Sequence, residues 1–82
     1  MKIISDSNMR EQLSLCKAGD PVFFDYNRID DKLWITDANA NQLGYVDHPD
    51  DDMINGVLSG SCQGVISTDS GGNSSSIVMF FK

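Results

Sequence analysis

The chain has 82 residues, of which 40% are hydrophobic and 22% are charged, and its formal net charge is −6. This composition predicts a single folded domain over residues 1–82 and argues against a disordered acidic tail. Since no run approaches the roughly 18 apolar residues of a membrane span, and the first six residues turn polar too early for a signal peptide, we expect a cytoplasmic protein without a membrane partner.

The first part of the chain predicts a short strand followed by a helix. Hydrophobic residues favour a strand over residues 2–4. Asn8 and Glu11 have the spacing of a capping box, and the apolar residues that follow recur at helical spacing, which predicts a helix over residues 9–18. Gly19 is placed to end this helix in the left-handed conformation.

Three strands are predicted next, joined by short turns. Residues 22–26, 32–36 and 42–46 are rich in β-forming residues and alternate between two faces. Trp34 lies on the face opposite its apolar neighbours, and Gly44 indicates a bulge or a close approach of the backbone. The three segments are typical of an antiparallel meander.

The last part of the chain predicts a second helix and a hairpin. The helix covers residues 53–58 and ends near Gly60; strands over 62–68 and 77–81 flank a Gly/Ser loop at 69–76. The final strand is apolar on both faces, so it is either central in the sheet or a hydrophobic patch for a partner. The order β-α-β-β-β-α-β-β predicts an α+β fold, a small curled antiparallel sheet or barrel of five to six strands with two short helices.

The charges are distributed unevenly along the sequence. No Lys or Arg lies between Leu33 and Phe81, while that stretch carries Asp37, Asp47, Asp50, Asp51, Asp52 and Asp69. Nucleic-acid binding depends on Lys and Arg replacing counterions, so a surface without them repels nucleic acid. We expect a continuous negative field beyond the strand of Trp34, suited to a protein with a basic surface; the alternative is a surface that only favours solubility.

Few residues could carry catalysis or hold a metal. The one histidine, His48, is expected to be a solvated loop residue, so we predict no catalytic residue and no enzyme activity. The aspartates before the second helix could offer oxygen ligands, but their spacing is not that of a calcium loop, and capping by Asp50 or Asp51 is favoured. Cys16 and Cys62 are expected to be small buried hydrophobes, with no metal site and no cofactor.

Three aromatic residues are the remaining candidates for binding. On the predicted alternation, Phe23 and Trp34 share the outward face of the sheet, and Tyr45 joins them if the register allows. Such a face suits the stacking of bases or the anchoring of a protein partner. The alternative is that one of the helices covers it.

Several short segments carry a likeness to a known family. They are Gly19-Asp20-Pro21-Val22, Asn27-x-x-Asp30, Leu33-Trp34-Ile35, Leu43-Gly44-Tyr45-Val46 and the helix around Ile54 to Leu58. Over about residues 19–58 the chain resembles the HIRAN family, small barrel-like domains attached to helicases and nucleases or found alone in bacteria. The resemblance implies binding of single-stranded DNA ends in an aromatic and basic groove, with stacking by Tyr45 and Trp34. The family's small residue before the central strand is replaced by Leu33, and no cation follows it.

Two functions follow from these observations. The preferred hypothesis is a non-catalytic acidic protein-binding module, of the kind used by small phage-encoded inhibitors of nucleic-acid-targeting defence systems, in which carboxylates imitate phosphates. The expected partner-binding residues are Trp34, Tyr45, Asp47, Asp50, Asp51 and Asp52. The alternative is a HIRAN-like domain that binds single-stranded DNA ends.

Overall fold

The computed structural model describes residues 2–69, 71 and 74–82, and within them the elements follow the predicted order. The helices are α1 (Ser7–Ser14) and α2 (Asp51–Ser59); the strands are β1 (Ile3–Ile4), β2 (Pro21–Asn27), β3 (Lys32–Thr36), β4 (Gln42–Asp47), β5 (Cys62–Thr68) and β6 (Ser75–Phe81). The strands form one curled antiparallel half-barrel sheet in the order β1-β4-β3-β2-β5-β6. The predicted α+β fold is confirmed, while the predicted loop at 69–76 lies partly outside the described residues.

The core lies on one face of the sheet, as the alternation of β2 and β3 predicts. Leu33 and Ile35 are completely buried, while Trp34 between them lies on the other face and is only half-buried. Each fully buried aliphatic side chain contributes about 1.5–3 kcal/mol. The buried cluster consists of Val22, Leu33, Ile35, Leu43, Val46, Met53 and Ile66.

Helix α1 begins and ends earlier than the sequence pattern predicts. Its N-cap is Asp6, whose carboxylate accepts a hydrogen bond from the backbone N–H of Met9 at 2.8 Å, so the prediction of Asn8 as the cap is wrong. A carboxylate at this position also faces the positive end of the helix dipole. The helix ends at Ser14, and Gly19, with φ of 88°, belongs to the turn that leads into β2.

Helix α2 has the caps that the sequence predicts. The carboxylate of Asp50 accepts a hydrogen bond from the backbone N–H of Met53 at 2.8 Å, and Gly60 ends the helix with φ of 81°. Asp51 and Asp52 are exposed in the first turn, where the helix dipole favours negative charge. The capping interpretation of these aspartates is therefore confirmed. No helix in the described residues is long and apolar enough to cross a membrane.

The predicted irregularity at Gly44 is a bulge combined with a close backbone approach. The register between β3 and β4 shifts between Ile35 and Thr36, next to Gly44. A Cβ atom on Gly44 would lie 2.8 Å from Oγ of Ser5 and 3.0 Å from the carbonyl oxygen of Ile4. Glycine is needed here because the residues of β1 and Ser5 lie close against β4, the strand with which β1 pairs.

Strand β6 lies at one edge of the sheet, so the central position is excluded for it. Its inward residues Ile77 and Met79 pack against the core. Its outward residues Val78 and Phe80 are 45% and 38% exposed. The structure therefore shows apolar residues at the surface of β6, and their use by a partner stays a prediction.

Candidate functional site

Trp34 and Tyr45 form a cross-strand pair on the outward face of the sheet. Their Cα atoms are directly opposite in the β3–β4 register, and their ring centroids are 5.0 Å apart with an interplanar angle of 45°. The helices pack on the core face through Leu13, Met53 and Val57, so the aromatic pair is not covered by a helix. A pair in this geometry contributes about 0.5–1.5 kcal/mol beyond its buried area.

A cation and a carboxylate hold the aromatic pair in place. The ammonium nitrogen of Lys32 lies 5.0 Å from the ring centroid of Tyr45 and 5.9 Å from that of Trp34. The indole N–H of Trp34 donates a hydrogen bond to Oδ2 of Asp30 at 3.2 Å. These contacts restrain the two rings, which favours a preformed binding surface.

Phe23, the third aromatic candidate, lies on the same face but in a different row. Its Cα partner on β3 is Thr36, whereas the Cα partner of Trp34 on β2 is Asp25. The side chain of Phe23 is 50% exposed. The aromatic site at this place is therefore a pair and not a triplet.

A second cluster links the turn after β2 to the end of β4. The carboxylate of Asp31 accepts a hydrogen bond from the hydroxyl of Tyr26 at 2.8 Å, and its other oxygen lies 2.9 Å from Nδ1 of His48. These hydrogen bonds lower the pKa of Asp31, that from His48 having the larger effect, and the same partnership with Asp31 raises the pKa of His48. Nε2 of His48 also lies 3.8 Å from Asp47.

These contacts join two segments that together carry six aspartates. Asp30 and Asp31 come from the turn between β2 and β3, and the other four lie at the end of β4 and the start of α2. They meet because Lys32, which follows the turn, is the Cα partner of Asp47. We call this surface the acidic end and define it by Asp30, Asp31, Asp47, Asp50, Asp51 and Asp52.

The acidic end is not free of cations, contrary to the expectation of an uninterrupted negative field. Lys32 lies opposite Asp47 in the sheet. Arg28 is also near this end, because its charge partly opposes the rise in the pKa of Tyr26 that the hydrogen bond to Asp31 mainly causes. The order of charged residues in the sequence therefore predicts a stronger negative field than the folded surface has at this end. At this end of the described chain, the ion pairs within 4.0 Å are those of His48 with Asp31 and Asp47.

The predicted site residues fall into three groups in the structure. Trp34 and Tyr45 touch each other, and Asp47 lies in the next cross-strand row, opposite Lys32. Asp50, Asp51 and Asp52 are all exposed, and the carboxylate of Asp50 also caps α2. The sequence analysis missed Asp30, Asp31 and Lys32 as members of this surface. A predicted pairing of β3 with β4 that placed Lys32 opposite Asp47 would have identified them.

The arrangement around His48 does not complete a nucleophilic site. Among the described residues, the recorded partners of its ring are the carboxylates of Asp31 and Asp47, which could orient the ring. Nucleophilic catalysis would also require a hydroxyl or thiol for the ring to activate. The free thiols of Cys16 and Cys62 have pKa values raised by burial, which favours the less reactive protonated form.

Comparison of the chain with known protein families, curated proteins and solved structures found no match. The resemblance to HIRAN domains stays a prediction, since these comparisons neither support nor oppose it. A fold alone does not establish a function, so the function is argued from the acidic end and the aromatic pair.

Proposed function

We propose that the chain is a non-catalytic protein-binding module whose acidic end and Trp34–Tyr45 pair engage a basic, nucleic-acid-handling protein. The observation that carries the proposal is that the turn of Asp30 and Asp31 is joined to the segment of the other four aspartates, and that Asp30 binds the indole of the Trp34–Tyr45 pair. Two of these aspartates, Asp51 and Asp52, are exposed on the first turn of α2. Carboxylates in this arrangement can occupy the positions of phosphates in a basic groove.

The two parts of the surface would have different tasks. Exposed charges mainly accelerate association and select the partner, because their field acts before contact. Aromatic residues mainly slow dissociation, because they bury a large area with little loss of conformational entropy. The half-buried Trp34 and its contacts with Tyr45 and Lys32 suit the second task. A small inhibitor of a phage type, acting by imitation of nucleic acid, would need both.

Trp34 also provides the readout for a direct test, because it is the only tryptophan of the chain. An arginine-rich peptide serves as the probe, and its binding is followed through the change in Trp34 fluorescence. The test variant is Asp50→Asn/Asp52→Asn, in which asparagine keeps the N-cap of α2. The matched control is Asp6→Asn/Glu11→Gln, which likewise neutralises the N-cap and one exposed residue of α1.

We expect the test variant to bind the peptide about threefold or more weakly than the natural chain, as the loss of two exposed charge contacts implies. The control variant, which loses the same charge from the same net charge of −6, should bind almost as well as the natural chain. Equal weakening in both variants would mean that only total charge matters, and the proposal of a defined acidic site would be wrong.

A second function deserves a test because Lys32 adds a cation to the aromatic pair. A HIRAN-like domain would stack the bases of a single-stranded DNA end on Trp34 and Tyr45, with Lys32 meeting a phosphate. Titration with a short oligothymidylate at low salt, read by Trp34 fluorescence, separates the two functions. Saturable quenching that weakens in Lys32→Gln would support DNA binding and oppose the proposal of a nucleic-acid mimic.

A further inference from the structure

A groove of about 810 Å³ lies between the two edges of the half-barrel, away from the aromatic pair. One wall is formed by β1 and the residues around it, the other by the start of β6, and α1 contributes from below. The residues that matter for its chemistry are Lys2, Ser5, Arg10, Leu13, Ser75 and Ile77. Its volume is in the range of known ligand sites.

The wall formed by β6 is a strand edge that no other strand of the described residues pairs with. The backbone N–H of Lys82 donates to the carbonyl oxygen of Ser61, and the carbonyl oxygen of Ser74 accepts from the backbone N–H of Asp69. In the register of the pair, the even-numbered residues of β6 therefore direct their backbone N–H and C=O groups to β5. In an antiparallel pair the alternate residues point their backbone groups the other way. The N–H and C=O groups at the free edge therefore belong to Ser75, Ile77, Met79 and Phe81.

This edge lacks the features that usually prevent strand addition. Charged residues, prolines and bulges protect the edge strands of most proteins. Strand β6, Ser75–Phe81, has the sequence SSIVMFF, which contains no charged residue and no proline. Its pairing with β5 runs over seven consecutive residue pairs without a register shift. An extended chain can therefore pair with it over most of its length.

The charge of the groove differs from that of the rest of the protein. Of the six cations in the chain, Lys2 and Arg10 line the groove, and the lining residues that the structure describes include no carboxylate. Both side chains are exposed, and the guanidinium of Arg10 donates a long hydrogen bond of 3.4 Å to the carbonyl oxygen of Ser5. On a protein of net charge −6, this is a place where an acidic ligand would be attracted.

We propose that the groove binds an extended peptide segment with acidic side chains, which adds to the sheet as a strand beside β6. The backbone of the peptide pairs with the free groups of Ser75 and Ile77. Its apolar side chains pack on Leu13 and Ile77, and its carboxylates meet Lys2 and Arg10. This is strand addition, in which the backbone supplies affinity and the groove supplies selectivity. The site is separate from the acidic end and does not depend on the proposed function.

The test uses the whole chain and a labelled peptide of seven residues that alternates glutamate and valine, matching the length of β6. A second peptide has the same sequence with alternate backbone amides N-methylated, which removes its hydrogen bonds but keeps its side chains. A third peptide has lysine in place of glutamate. Binding is measured by fluorescence anisotropy, and its position is mapped by amide chemical shifts and hydrogen exchange.

We expect binding by the glutamate peptide only, with slowed exchange at the amides of Ser75, Ile77, Met79 and Phe81. Lys2→Gln/Arg10→Gln should weaken it about tenfold, as two partly desolvated charge contacts imply. The control Lys17→Gln/Arg28→Gln removes the same charge outside the groove and should change the affinity less than about twofold.

Several results would overturn the proposal. Equal binding of the N-methylated peptide would show attraction by charge without strand addition. Preference for the lysine peptide would place the contact at the acidic end. A dimer in solution that protects the same β6 amides without any peptide would show that a second copy occupies the edge. Absence of binding by all three peptides would exclude the site for this class of ligand.

Discussion

Nδ1 of His48 lies 2.9 Å from Oδ2 of Asp31, 17 residues away in the sequence. The backbone strengthens the connection, since the N–H of His48 donates to the carbonyl oxygen of Asp31 at 3.0 Å. Both residues have a φ of 51°, in the left-handed region. The pair closes the acidic end, because it joins the turn after β2 to the segment that leads into α2.

This pair predicts a defined dependence of stability on pH. The hydrogen bond to Asp31 raises the pKa of His48 above its ordinary value of 6.5. The stability that protonated His48 adds to the folded state is therefore fully present below pH 6.5 and is lost as the pH rises through the raised pKa. The hydrogen bond from His48 lowers the pKa of Asp31 below its ordinary value of 3.8. The stability that ionised Asp31 adds to the folded state is therefore fully present above pH 3.8 and is lost as the pH falls through the lowered pKa. The pair should therefore stabilise the folded protein most between about pH 3.8 and pH 6.5. Urea unfolding from about pH 4 to about pH 8 measures this.

The variant His48→Asn separates the pair from other titrating groups. Asparagine tolerates the left-handed backbone at this position but cannot be protonated. In this variant the loss of stability as the pH rises above about 6.5 should be much smaller than in the natural chain. An unchanged pH profile would show that the link between His48 and Asp31 does not contribute to stability in solution.

Asp50 is predicted to have separate structural and charge effects. Asp50→Ala should lower the free energy of unfolding by about 0.5–2 kcal/mol, because the backbone N–H of Met53 loses its acceptor. Asp50→Asn should be close to neutral, since the amide oxygen can still accept. Urea unfolding of both variants checks this. If Asp50→Asn were as destabilising as Asp50→Ala, the charge and not the cap would be responsible.

Gly44 is predicted to tolerate no side chain. Gly44→Ala should lower the free energy of unfolding by about 1–3 kcal/mol, because its Cβ would press on Ser5 and on the backbone of Ile4. Amide exchange at Ile3 and Ile4 should become faster at the same time. Gln42→Ala, at an exposed position of the same strand, serves as the control and should change stability little. Normal stability of Gly44→Ala would contradict the close approach of Ser5 and Ile4 to Gly44.

The regular parts of this fold could be predicted because local sequence patterns decide them. Alternation in β3 identifies Leu33 and Ile35 as core residues, and both are completely buried. The cap of α1 could not be identified in the same way. Asp6 and Asn8 both have suitable side chains, and either start would present the same apolar face to the core.

The missed features of the site depend on contacts between distant parts of the chain. The partnership of Asp31 with His48 exists only because β3 and β4 pair in one register. The same register brings Lys32 opposite Asp47, so the sequence stretch without cations does not become a surface without cations. The edge position of β6 could not be predicted from the sequence either. An apolar strand can lie at the centre of a sheet, or at its edge with residues such as Phe80 exposed.

The central claim is that the acidic end steers a basic partner, and the rate of association tests it most directly. Stopped-flow fluorescence of Trp34 gives the association rate of the arginine-rich peptide over a range of salt concentrations. For the natural chain and Asp6→Asn/Glu11→Gln, we predict a fast rate at low salt that falls steeply as salt is added. Asp50→Asn/Asp52→Asn should associate more slowly and show a shallower salt dependence. Identical rates and slopes in all three proteins would contradict the claim.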